Sequence, residues 1–213
     1  MEEHMGGKDM FEIFFFMNPL GINCYLNEKA IINGITDSQK KVDYHFIPMA
    51  NMTTIRNDLL ARNLPTCDLN LFNKFSRRTF NAIKDYHAVK LIKGNKTARK
   101  FIFALQSAVN ENDKDYSKDF VNEFLHKYNI DPSSFEEMRQ SKYTLISMNK
   151  DSQLAKKFEI QTTPTTLVYN YDYSNCNYKI EGKVTSTDVD LVLNEADDNA
   201  ANEFDGHANL HLI

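Results

Sequence analysis

The chain has 213 residues, 42% hydrophobic and 25% charged, the balance of a soluble globular protein with room for one large domain or a core domain carrying an insertion. A formal net charge of −4 argues against nucleic acid as the main partner, because phosphate binding wants a basic face. No apolar run approaches the length of a membrane span, so a membrane partner is not expected either.

The first ten residues, MEEHMGGKDM, are acidic and lack an apolar h-region. They read as a mobile arm over 1–10 and not as a secretory signal. Cys24, Cys67 and Cys176 are widely spaced, and three is an odd number. Without a signal sequence they are expected as thiols in a reducing, cytoplasmic setting. Neither they nor the scattered histidines have metal-ligand spacing. His207 and His211 are four apart, but in a stretch with little helical character. No metal and no cofactor are expected.

Phe11 to Met17 is an apolar run broken only by Glu12, which suits a strand buried on both faces. Asn18-Pro19 ends it, because proline lacks the N–H a central strand needs. Asn23 to Ile35 reads as a helix. Residues 21–24 (Gly21, Ile22, Asn23, Cys24) therefore sit at a helix N-terminus, where the dipole and free N–H groups favour anions.

Val42 to Ala50 is a second strand, so the chain opens with a strand–helix–strand unit of parallel strands. From Asn51 the period turns helical. Residues 51–62 form either a short helix or an irregular connection. Asp68 or Asn70 caps a longer helix that Gly94-Asn95 stops, and Thr97 begins another. Ser117 caps the next, and Asn129 ends it in a left-handed conformation. Asp131-Pro132 then supplies an N-cap and a first helical residue. A further helix runs from Ser141 to Phe158. Around Gly94, Lys90, Lys93, Lys96, Arg99 and Lys100 form a basic cluster, either a solvated corner or a docking patch for an acidic partner.

Strand character returns at Gln161 to Asn170, with Thr163-Pro164 at its start. Tyr171 to Cys176 reads as a turn, Asn177 to Glu181 as the returning hairpin strand. Ser186 or Thr187 caps a closing helix with Val189, Val192 and Leu193 inward. From Glu195 the chain is acidic and rich in Asn and Ala, a tail with an apolar end.

A strand–helix–strand unit, a helical block, a Thr-Pro-Thr strand start, a hairpin and a last helix together resemble the DsbA-like branch of the thioredoxin superfamily. That resemblance implies an α/β fold with a central mixed sheet flanked by helices and a large helical insertion. The corresponding boundaries are 11–50 and 149–194 for the thioredoxin-like domain, 51–148 for the insertion and 195–213 for the tail. It also implies that Thr163-Pro164 is the cis-proline position facing a Cys-x-x-Cys turn, at Gly21 to Cys24.

Within that branch the chain is similar to the YjbH/SpxH family. Asn18 to Tyr25, NPLGINCY, resembles their Asp-Pro-Leu-Cys-Pro-x-Cys-Trp segment. Tyr86 to Gln106, Asn129-Ile130-Asp131 with Phe135, and Pro164 to Val168 continue the match. Those proteins are cytosolic adaptors that bind the stress regulator Spx and promote its degradation by the ClpXP protease. The resemblance thus implies Spx as client and ClpXP as an indirect partner; the candidate contacts are the basic corner (Lys90, Lys93, Arg99) and the Pro164 groove.

Three departures matter: Gly21 for the first cysteine, Ile22 for the proline and Tyr25 for the tryptophan. Disulfide exchange needs a thiolate and a resolving thiol, and glycine offers neither. Cys24 reads as a small packed residue, and the expected protein is a non-enzymatic, redox-inactive adaptor. The alternatives are a thiol-disulfide oxidoreductase using Cys24 alone or with Cys67 or Cys176, a glutathione-dependent transferase or isomerase of the same fold, and a degenerate chaperone with broad clients.

Overall fold

The computed structural model describes residues 10–38, 40–112, 114–171, 177–194 and the backbone of 208–212. The expected arm before Met10, the expected turn beyond Tyr171 with Cys176, and the tail over 195–207 with His207 lie outside the described residues. In chain order the elements are β1 (Met10–Met17), α1 (Ile22–Ser38), β2 (Lys41–Pro48), α2 (Met52–Ala61), α3 (Leu69–Glu111), α4 (Lys118–Lys127), α5 (Pro132–Gln140), α6 (Lys142–Lys157), β3 (Thr165–Asn170), β4 (Tyr178–Gly182), α7 (Ser186–Asn194) and β5 (Ala208–Leu212). The strands form one sheet in the order β2-β1-β3-β4-β5. Two compact units divide the chain, one made of residues 1–15, 26–46 and 164–213 and the other of 16–25 and 47–163. No helix among the described residues is long and apolar enough to cross a membrane.

The first unit holds most of the sheet. Phe11, Ile13 and Phe15 of β1 are buried, and Phe15 meets Phe46 of β2 edge to face with centroids 5.7 Å apart. The alternate residues Glu12 and Phe14 take His45 between them: Phe14 stacks on its ring at 5.0 Å, and Glu12 Oε1 lies 2.9 Å from Nε2. β3 and β4 are antiparallel with Thr166 opposite Ile180. Asn27 of α1 fixes the exit from β4, its Nδ2 donating to Gly182 O at 2.7 Å and its Oδ1 accepting from Val184 N at 3.2 Å. Gly34 lets α1 approach α7, since a Cβ there would stand 2.6 Å from Val189 Cβ.

One expectation is corrected in this unit. The end of the acidic tail is a strand: β5 pairs antiparallel with β4, Tyr178 opposite Leu212 and Ile180 opposite Leu210. Pairing satisfies backbone groups that β4 would otherwise leave bare at the sheet edge. The period-2 signal in Asn209 to Leu212 is too short to stand out beside an acidic stretch.

In the second unit local chemistry sets the helix limits. Asn51 and Thr54 form a capping box at the start of α2. Asp68, and not Asn70, caps α3, whose path breaks at Gly94 (φ +80°, ψ 173°). Ser117 caps α4, and Asp131 with Pro132 opens α5. Asn129 takes φ +50° after α4. The core between α3 and α4 centres on Phe101, with Phe124 edge to face at 5.0 Å. Farther along, Asp85 of α3 accepts hydrogen bonds from Tyr116 Oη and Arg139 Nε, which ties α5 to α3. Burial pushes the Asp85 carboxyl up, opposed by those two partners.

Candidate functional site

The start of α1 lies in the second unit together with the turn before it and α2. Asn18 builds the turn. Its Oδ1 accepts from Leu20 N at 3.0 Å, and its carbonyl accepts from Gly21 N at 3.0 Å. Gly21 O then accepts the first helical bond, from Tyr25 N at 3.0 Å. Gly21 is thus the residue from which α1 starts.

Cys24 is 2% exposed, and its Sγ accepts a hydrogen bond from Asn18 N at 3.2 Å. That N–H favours a thiolate, whereas burial disfavours one. Neither Cys24 nor the exposed Cys67 is in a disulfide.

The anion position at the helix end is filled by protein. Asp58 of α2 accepts from Ile22 N through Oδ1 at 3.2 Å, so a carboxylate sits where a helix dipole would otherwise favour a thiolate. Arg62 holds that carboxylate, its Nε at 3.2 and 3.1 Å from the two oxygens. The same guanidinium donates to Leu20 O and, at 2.8 Å, to Asn110 Oδ1 of α3. Burial pushes the Asp58 carboxyl up; Arg62 and the Ile22 N–H pull it back in part.

A cavity of about 20 Å³ lies here, lined by Gly21, Asn23 and Cys24 from one side, Thr54 and Asp58 from another, and Thr163. It has room for roughly one water molecule. Among the candidates drawn from the sequence, Gly21, Asn23, Cys24 and Thr163 therefore meet around one cavity. Ile22 serves it through its backbone N–H. Pro164 is buried, immediately before β3, and its carbonyl accepts from Gly182 N at 3.0 Å.

Lys90, Lys93 and Arg99 lie on α3 on either side of the Gly94 kink, and none of them lines this cavity. Lys90 stands 5.8 Å from the Tyr86 ring centroid and 3.9 Å from Asp151 of α6. Beside it, His87 is fully buried, with Nδ1 2.8 Å from Ser147 Oγ; burial and Lys90 lower its pKa to about 3. Asp58 and Arg62 are the members of the site that the sequence reading missed. Their four-residue spacing on a helix was a visible signal, but it marks surface pairs as often as buried ones.

The arrangement holds one buried sulfur with no second sulfur across from it at Gly21. Residues 14–189 match the family described as thioredoxin. No curated protein matches the chain in sequence. Three solved structures share the fold at low identity. A candidate protein disulfide isomerase from Nitrosomonas europaea superposes with a TM-score of 0.60 at 15% identity, over 88% of this chain and 96% of that one. A thioredoxin-like oxidoreductase from Silicibacter pomeroyi DSS-3 gives 0.55 at 13% identity, over 86% and 84%. The alpha-DsbA1 protein of Wolbachia pipientis, as a cysteine-to-alanine double variant, gives 0.57 at 13% identity, over 89% and 88%. With the sheet, the flanking helices and the long helical insertion in place, the chain belongs to the thioredoxin family and has its DsbA-like fold.

Proposed function

We propose that this chain is a cytoplasmic, redox-silent adaptor of the YjbH/SpxH kind, which binds Spx and promotes its degradation by ClpXP. The observation that carries the redox-silent part is the relation of Gly21 to Cys24. The position of the attacking sulfur is a glycine, and the remaining thiol is 2% exposed. An adaptor needs a surface for its client and no thiolate, so the loss leaves that role intact. The ordered resemblance from Asn18 through Val168 supports the choice of client.

A second reading, a thiol-disulfide oxidoreductase, is favoured by the retained N–H···Sγ bond at Cys24 and by the named activities of the structural neighbours. At 13–15% identity those neighbours speak for the fold alone. The deciding experiment is degradation of purified Spx by ClpXP with and without this protein, under reducing conditions, repeated with Cys24→Ala. The adaptor reading expects acceleration that survives the substitution. No acceleration, together with Cys24-dependent reduction of a model disulfide, replaces it with the oxidoreductase.

A further inference from the structure

The second unit leaves an apolar groove uncovered on the side of α6. One arc of that helix, with Thr144, Asp151 and Ala155, is buried. The neighbouring arc carries Leu145, Met148, Ser152 and Lys156 at three- and four-residue spacing, so these side chains share a face. Met148, Ser152 and Lys156 line a groove of about 390 Å³. Across it stand Met49 after β2 and Phe80 and Ile83 of α3. Phe80 is 48% exposed and Leu145 58%, large apolar side chains left half bare on well-formed helices. Apolar surface gathered in this way on a folded chain marks a place where something binds.

Charge decides what kind of partner fits. The chain as a whole carries −4, yet the described lining of the groove has one charged residue, Lys156, and no carboxylate. Lys142 and Lys156 are exposed on the arc of α6 that also carries Leu145 and Asn149, and Lys150 and Lys157 project from the other side of the helix. The acid of that helix, Asp151, is buried beside Lys90 and His87. The exposed Glu159, just past the end of α6, is an opposing charge. Such a rim attracts carboxylates and repels a basic segment.

We propose that this groove docks an acidic segment of a protein client, seating two or three apolar side chains at helical spacing on Phe80, Leu145 and Met148 with its carboxylates facing Lys142 and Lys156. Helix-in-groove recognition joins an apolar stripe to a charged flank in this way. The assignment rests on the reading of the chain as a protein-binding adaptor, and it names a surface apart from the Gly94 corner.

The test uses the full chain and two fluorescein-labelled synthetic helical peptides sharing one leucine stripe, one with Glu and one with Lys at all other positions. The Glu peptide is expected to bind at least about tenfold more tightly than the Lys peptide, and to weaken as salt rises. Phe80→Asp, Leu145→Asp and Lys156→Glu should each weaken it about tenfold or more. These side chains are exposed, so circular dichroism and thermal melts should match the parent and separate lost binding from lost folding. Equal binding of both peptides, no binding, or parental affinity in all three variants overturns the proposal. So does concentration-dependent dimerisation abolished by Phe80→Asp, which would assign the groove to a second copy. Spx association unchanged in Phe80→Asp and Lys156→Glu sinks the groove and leaves the adaptor. Glu-peptide binding without any Spx association sinks the adaptor and leaves the groove.

Discussion

A Cβ on Gly21 would stand 3.2 Å from the Sγ of Cys24. In a disulfide of normal bond lengths a Cβ lies about 3 Å from the far sulfur. The backbone thus places a side chain at residue 21 within bonding reach of the Cys24 sulfur. Gly21 has no positive φ that would bar a side chain. The added atom would also lie 3.2 Å from Asn18 Cβ and 3.3 Å from Asn18 O, so the turn must give by a few tenths of an ångström. Gly21→Cys is expected to form a disulfide with Cys24 on mild oxidation, and to gain disulfide-reducing activity over the parent. Titration of thiols before and after oxidation, in a Cys67→Ser, Cys176→Ser background, checks this. Two thiols still titratable after oxidation would show that the geometry is not retained.

Glu28 of α1 is 1% exposed, both its carboxylate oxygens are buried without a hydrogen-bond partner, and burial raises its pKa from 4.5 to about 8. The sign follows from proton counting. Below about pH 4.5 folded and unfolded states are both protonated and the group is neutral in its effect. Between 4.5 and about 8 the folded state holds a proton that the unfolded state has lost, so stability falls as pH rises and then levels off. The loss is of the order of a few kcal/mol. Glu28→Gln removes that slope. Denaturant unfolding at pH 5 and pH 8.5 should give similar stabilities at the lower pH and a clear advantage for the variant at the higher one. An equal advantage at both would assign the effect to packing.

Gly94 holds φ +80° and ψ 173°, a region essentially closed to other residues, and nothing lies within 4 Å of where its Cβ would be. The requirement for glycine is therefore conformational and not steric. Gly94→Ala is expected to cost about 1–3 kcal/mol, or to straighten α3 and move Lys93 relative to Arg99. Urea unfolding measures the first, and hydrogen exchange across the kink the second. An unchanged midpoint with unchanged exchange would mean the kink tolerates a side chain.

These three positions also mark how far the sequence can be read. Gly94, Asp68, Ser117, Asn129 and the Asp131-Pro132 pair act on their own backbone or on the next turn, so their residue types announce where helices begin and end. The same holds for Asn18-Pro19, which places Gly21 to Cys24 at a helix start. Asp58 is different. Its residue type allows a surface carboxylate, and only the packing of α2 against the turn brings it to the Ile22 N–H. β5 was hidden for a like reason, since a five-residue strand is recognised by the edge it pairs with more than by its own composition.

The amino-acid order by itself determined the succession of strands and helices from β1 to α7, the capped helix ends and the absence of a second sulfur at residue 21, all of them local properties of side chain and backbone. Only the tertiary structure decided that the Cys24 sulfur accepts from the Asn18 N–H, that Asp58 occupies the helix end, and that Phe80 and Leu145 stay bare. Those are contacts and exposures between segments distant in the chain. Burial, not residue type, determines whether a thiol, a carboxylate or an aromatic ring can act.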